Sequence, residues 1–129
     1  MPVAQGPTEL WANEPEDHDF PAARDYLMLQ FEPRIAERLA DELAKTETVH
    51  IYKAKDILRA SGLEPLGRKN VHVRADLDKI DRQEKLSPVL LVRDVTRHVL
   101  VIADGFHRVC ASRQVDENVV IPCRIVTTS

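Results

Sequence analysis

Two apolar runs, Pro88-Val-Leu-Leu-Val92 and His98-Val-Leu-Val-Ile-Ala103, stand either side of the short segment Asp94–Arg97. Runs of that length, rich in Val, Leu and Ile, read as strands. A connection of about four residues joins them only as an antiparallel hairpin, because a parallel return needs a much longer crossover. The second run stops at Asp104-Gly105, and the spacing then turns helical through Phe106, Val109, Cys110 and Arg113. This strand–strand–helix unit restricts the fold more than any other part of the chain.

The remaining elements are expected around it. Asp19 is placed to cap a helix with Pro21 in its first turn and Tyr26, Leu27, Leu29 and Phe31 on its apolar side. Glu32-Pro33 opens a second helix, in which Ile35, Leu39 and Leu43 recur at four-residue spacing beside Ala36 and Ala40. Thr48–Tyr52 alternates as a short strand. Lys53–Ser61 reads as a short helix with Ile57 and Leu58 inward and Gly62 as its stop. Asn70 is a good cap for a helix running to about Glu84, with Val73, Leu77 and Ile80 on its buried side. Val119–Val126 is a last strand, and Pro122 within it predicts an edge position or a bulge.

The 129 residues suffice for one domain, and 43% apolar content suffices for one core. The expected class is α/β: a single small domain, a mixed β-sheet with surrounding helices. Residues 1–18, with three prolines and an acidic run, read as a flexible arm anchored by Leu10 and Trp11. Residues 19–129 form the domain, with 19–45 a helical extension and 48–126 the core. A net charge of −3 argues against coating nucleic acid by bulk electrostatics, though a local basic patch is compatible with it. Cys110 and Cys123 have no zinc-type spacing and read as buried thiols. Met1–Asp19 lacks the apolar centre of a signal peptide, and no run approaches membrane-spanning length. The expected compartment is the cytoplasm, with no membrane partner.

Asp104-Gly105-Phe106-His107-Arg108 carries the chemistry. Gly105 permits a sharp turn and close backbone approach. A helix beginning there presents unpaired amides and the positive end of its dipole, which together make an anion site. His107 and Arg108 stand in that first turn, where the dipole opposes cations, and a bound anion removes the conflict. Arg108 would then grip phosphate oxygens through paired hydrogen bonds, and His107 would donate another. A purely structural reading fits the same residues: Asp104 caps the helix, Arg108 pairs with it, and His107 lies on the surface. Spacing alone does not separate the two.

Leu86–Val92 followed by Val99-Leu-Val-Ile-Ala-Asp-Gly-Phe-His-Arg-Val-Cys-Ala111 resembles the core of the ParB/sulfiredoxin superfamily, in which a strand, a returning strand and a Gly-x-[His/Arg]-Arg turn lead into a helix. Ile121–Val126 is similar to the final strand of its sulfiredoxin-like members. The resemblance spans roughly residues 70–126. It implies that the turn Asp104–Arg108, Phe106 included, holds nucleotide phosphates, with Gly105, His107 and Arg108 in contact and Asp104 shaping the turn or approaching a metal. It implies ATP, ADP or CTP with Mg²⁺ as the bound species. It also places His72, Ala75 and Lys79 where sulfiredoxins carry basic and hydroxyl residues. Phe106 stands where sulfiredoxins have their reactive cysteine, so that redox chemistry is not expected. A following helix-turn-helix domain of the ParB kind is not expected, so a DNA-sliding clamp is disfavoured.

The expected function is therefore nucleotide or phosphometabolite binding, extending to phosphoryl transfer or nucleotide hydrolysis. The alternative is a non-catalytic nucleic-acid- or protein-binding accessory module, with a nuclease third. A homodimer is an open alternative to a monomer. Lys53 and Lys55 are further candidates for the nucleotide site, although a solvated face accounts for them too. Arg68, Lys69, His72 and Arg74 form a local basic cluster. Asp81 and Glu84 would serve as bases or metal ligands only where the fold brings them to the turn. No metal-ligand set is evident in the sequence.

Overall fold

The computed structural model describes residues 10–128. Among them the elements run α1 (Asp19–Gln30), α2 (Pro33–Lys45), β1 (Val49–Lys53), α3 (Ala54–Ser61), α4 (Val71–Asp81), β2 (Val89–Asp94), β3 (Val99–Asp104), α5 (Phe106–Val115) and β4 (Val120–Thr127). The four strands form one mixed sheet in the order β1-β4-β2-β3. β2 and β3 are the expected antiparallel hairpin, β1 pairs antiparallel with β4, and β4 pairs parallel with β2. The fold is α/β. No helix among the described residues is long and apolar enough to cross a membrane.

Each face of the sheet carries its own core. α1 and α2 cover one face, where Leu27, Leu39 and Leu43 meet Leu90, Val92, Val101 and Ala103. α3, α4 and α5 cover the other, where Ile57, Val73 and Val109 meet Val89, Leu91, Ile102 and Ile121. Val89–Val92 are therefore buried without alternation, as a strand covered on both faces must be.

Pro122 lies in a central strand, not at an edge. It has no N–H to give β1, and β1 answers with a bulge. Val49 pairs with Cys123 and Tyr52 with Ile121, so two residues of β1 face Pro122 alone.

α1 differs from expectation in two ways. His18 occupies the cap position, and Asp19 is the first helical residue. The buried Asp19 carboxylate reaches back to accept the Glu16 N–H at 2.9 Å, which satisfies a backbone group ahead of the helix. Its inward side is Ala23 and Leu27, whereas Leu29 is 87% exposed and Tyr26 also faces outward. α4 begins as expected, with Asn70 Oδ1 accepting from the N–H groups of His72 and Val73. It stops at Asp81, three residues early, because Gln83 takes a left-handed conformation and Leu86 turns to pair with the N-terminal segment.

That segment is docked. Leu86 N–H donates to Leu10 O and Ala12 N–H to Leu86 O, while Leu10 and Trp11 are buried in the core beneath α3 and α4. The part of the expected arm at residues 1–9 lies outside the described residues. Arg124 of β4 ties the same region together. Its Nη1 donates to Leu43 O and Ala44 O at the end of α2, and Nη2 to Glu14 Oε1.

Candidate functional site

β3 ends at Asp104 and α5 starts at Phe106, with Gly105 alone between them. Gly105 has φ 108°, in the left-handed region. A Cβ there would lie 2.9 Å from Val89 Cβ and nearer still to its Cγ1. Conformation and space both demand glycine. The chain thereby enters α5 directly from the strand, and no side chain caps the helix. The positive end of α5 opens on a cleft of about 310 Å³ between the turn and α4.

His72, Ala75, Asp76 and Lys79 line the α4 side of this cleft; Asp104, Gly105, Phe106, His107 and Arg108 line the other. These are one turn apart along a single face of α4, as i, i+3, i+4 and i+7 spacing requires. The structure thus brings His72 and Lys79 to the turn. Lys53 and Lys55 sit at the end of β1 and the start of α3 and do not line the cleft. Arg68, Lys69 and Arg74 also lie outside it, with Arg68 bonded to Gln114. Asp81 and Glu84 are absent from it as well, and Glu84 pairs with Arg82 on the surface.

The rings of His72 and His107 stand 4.7 Å apart, tilted at 45°. Burial lowers the pKa of His107, and the His72 charge lowers it further, against the pull of Asp76. Asp76 escaped the sequence reading. It was one helical turn from His72 and Lys79, and helical spacing from those two would have found it. Burial raises its pKa, opposed by the positive charges of Arg108, Lys79 and His107.

Arg108 is the tie of the turn. Its Nε donates to Ser87 O at 2.9 Å, and Nη2 to Pro88 O at 3.3 Å and Asp104 Oδ2 at 3.0 Å. The guanidinium thereby joins the first turn of α5 to the start of β2 and the end of β3. The Nε–Nη2 edge of the fork is occupied, and Nη1 takes no part in these bonds. Asp104 pairs with Arg108 and does not cap α5. A bulge aims it: Leu90 pairs with Asp104 and Leu91 with Ile102, so Ala103 is the extra residue. Burial raises the Asp104 pKa, Arg108 lowers it, and the adjoining Asp19 carboxylate raises it again.

Cys110 is buried, as expected, and its Sγ accepts the Leu66 N–H at 3.4 Å. Burial pushes both thiols up, Cys123 to about 12, which leaves neither as a thiolate nucleophile near neutral pH. Elsewhere, Glu16, His18 and Asp19 bring one ligand atom each within 4.8 Å of one another. Their contacts at the start of α1, including His18 Nε2 to Glu16 Oε2 at 3.1 Å, account for that grouping.

The fold and cleft define a small α/β domain with a helix-start cleft fed by a strand–glycine–helix turn. No family model matches this chain, and no curated protein or solved structure does.

Proposed function

We propose that the cleft between α4 and the start of α5 binds the phosphate groups of a nucleotide or phosphometabolite. The observation that carries this reading is the uncapped helix start opening onto a cleft that also holds His72, Lys79 and His107. Helix amides supply hydrogen-bond donors of fixed direction, and the dipole favours a negative charge there. Lys79 adds a mobile cation. Arg108, bound to Ser87, Pro88 and Asp104, keeps the turn in place and brings its charge to the rim. The resemblance of the Gly-Phe-His-Arg turn to that of the ParB/sulfiredoxin superfamily supports the same assignment.

Asp76 sits badly beside a bare anion. It is well placed beside a nucleotide that carries Mg²⁺, to which a carboxylate oxygen is a natural ligand. That arrangement suits phosphoryl transfer or hydrolysis, in which the protein supplies position and charge. A cytoplasmic setting, where nucleotides are abundant, belongs to this proposal.

Thermal unfolding with ATP, ADP, CTP and GTP, each with and without Mg²⁺, tests it. At least one should raise Tm by about 4 °C or more at ten times its Kd. His107→Ala and Lys79→Met should each remove most of that rise. No rise with any nucleotide or with pyrophosphate overturns phosphate binding. A rise that both variants retain moves the site elsewhere.

A further inference from the structure

β3 connects the phosphate cleft, at Asp104, to a second concavity at its other end, beside the hairpin turn. Here the sheet face under α3 is not fully covered. Leu91, Leu100 and Ile125 form the floor of a groove of about 530 Å³, and Ile57 and Ala60 of α3 form one wall. That volume falls within the range of small-molecule sites, which pair an apolar lining with a few fixed polar groups.

The polar groups converge on one side. Arg93 projects from β2, and its Nη2 donates to the Tyr52 hydroxyl at 3.0 Å, so the guanidinium is held in place over the rim. His98 also lines the groove, from a left-handed backbone position with φ 56°. The two carboxylates of the lining have cations of their own. Asp94 binds Arg97, and Asp56 stands 3.7 Å from Arg59. Arg93 has no ion pair among the described residues. The groove therefore combines an apolar floor with one oriented cation whose charge is unmatched.

We infer that this groove binds a small amphipathic monocarboxylate, its aliphatic or aryl body on Leu91, Leu100 and Ile125 and its carboxylate on Arg93, with His98 as a second donor. A neutral hydrophobe would leave Arg93 unused. A phosphate or sugar would leave the apolar floor uncovered. The guanidinium fork matches a carboxylate, and Tyr52 has already restricted its motion.

Amide chemical shifts of the full chain, followed during titration with octanoate and separately with octan-1-ol, test the proposal. Octanoate should give saturable shifts at Tyr52, Ala60 and Leu100, and octan-1-ol should bind about tenfold more weakly. Arg93→Met, which keeps the aliphatic stem, should weaken octanoate by a similar factor. Ala60→Trp, at an exposed helical position, should fill the groove and abolish the shifts with unfolding unchanged. The proposal is overturned by the absence of saturable shifts, by equal binding of the alcohol, or by undiminished binding in Arg93→Met. It is equally overturned by a dimer in sedimentation that Ala60→Trp converts to monomer, since a second copy would then fill the groove.

Discussion

At the scale of single residues, Gly105 decides the geometry of the turn and Arg108 decides its rigidity. Gly105→Ala forces a left-handed conformation on an L side chain and drives its Cβ into Val89. The expected cost is about 2–4 kcal/mol, from conformational strain and overpacking together. Urea unfolding measures it, and a loss below about 1 kcal/mol would mean that the turn relaxes easily. Under the proposed function, His107 and Asp76 should make anion binding pH-dependent, and the two work in the same direction. His107 has a lowered pKa and gains its charge only as pH falls below the ordinary histidine range. Asp76 has a raised pKa and loses its negative charge as pH falls toward the upper carboxylate range. Both changes make the cleft more positive, so affinity for sulfate, which does not itself titrate there, should stay nearly level from pH 8 down to the ordinary histidine range and rise below it toward pH 5. Calorimetric titration at fixed ionic strength checks this. His107→Ala should flatten the upper part of the profile and Asp76→Asn the lower part.

At the scale of elements, α4 forms one wall of the cleft. It presents His72, Asp76 and Lys79 only while its first turn stays wound, and Asn70 is its cap. Asn70→Ala removes two hydrogen bonds to the His72 and Val73 amides and should cost about 1 kcal/mol. Fraying there displaces His72 before Lys79, so anion affinity should fall more than the loss of stability alone explains. Affinity and unfolding measured on one preparation separate the two effects. The pairing of β1 with β4 carries a different lesson. A proline in a central strand is tolerated because its partner bulges where the missing N–H would have donated. The bulge is a property of the pair, not of either strand.

At the scale of the whole molecule, two cores share one sheet, and the N-terminal segment seals one of them. Trp11 is 1% exposed and packs under α4, held by the backbone pairing of residues 10–12 with Leu86. Trp11→Ala should cost about 3–5 kcal/mol, a large share of the stability of a domain this size. The urea midpoint should fall with its slope unchanged. A loss confined to proteolysis of the N-terminal segment, with the midpoint unmoved, would show that the segment only rests on the body. The cleft at Asp104 and the groove beside the hairpin turn lie at opposite ends of β3, so one edge strand separates a polar concavity from an apolar one.

What the sequence determined by itself was local. The hairpin, the cap at Asn70, the stop at Gly62 and the glycine turn into α5 follow from runs, spacings and turn residues a few positions apart. The family resemblance alone, not these local patterns, names His72 and Lys79 as companions of the turn. The tertiary structure decided everything that depends on residues distant in the chain. Leu29 looked like part of an apolar side, but the sheet meets α1 through Ala23 and Leu27. Pro122 suggested an edge or a bulge, and only the insertion of β4 between β1 and β2 selected the bulge. Arg108 finds its partners at Ser87 and Pro88, about twenty positions earlier, and so became the tie of the turn instead of a free hand for an anion. Asp76 acquired its raised pKa from burial, against the opposing charges of Arg108 and His107 across the cleft and Lys79 on its own helix. Local preference fixes which segments turn and where helices begin, whereas side-chain partners and ionisation depend on how the cores pack on the two faces of the sheet.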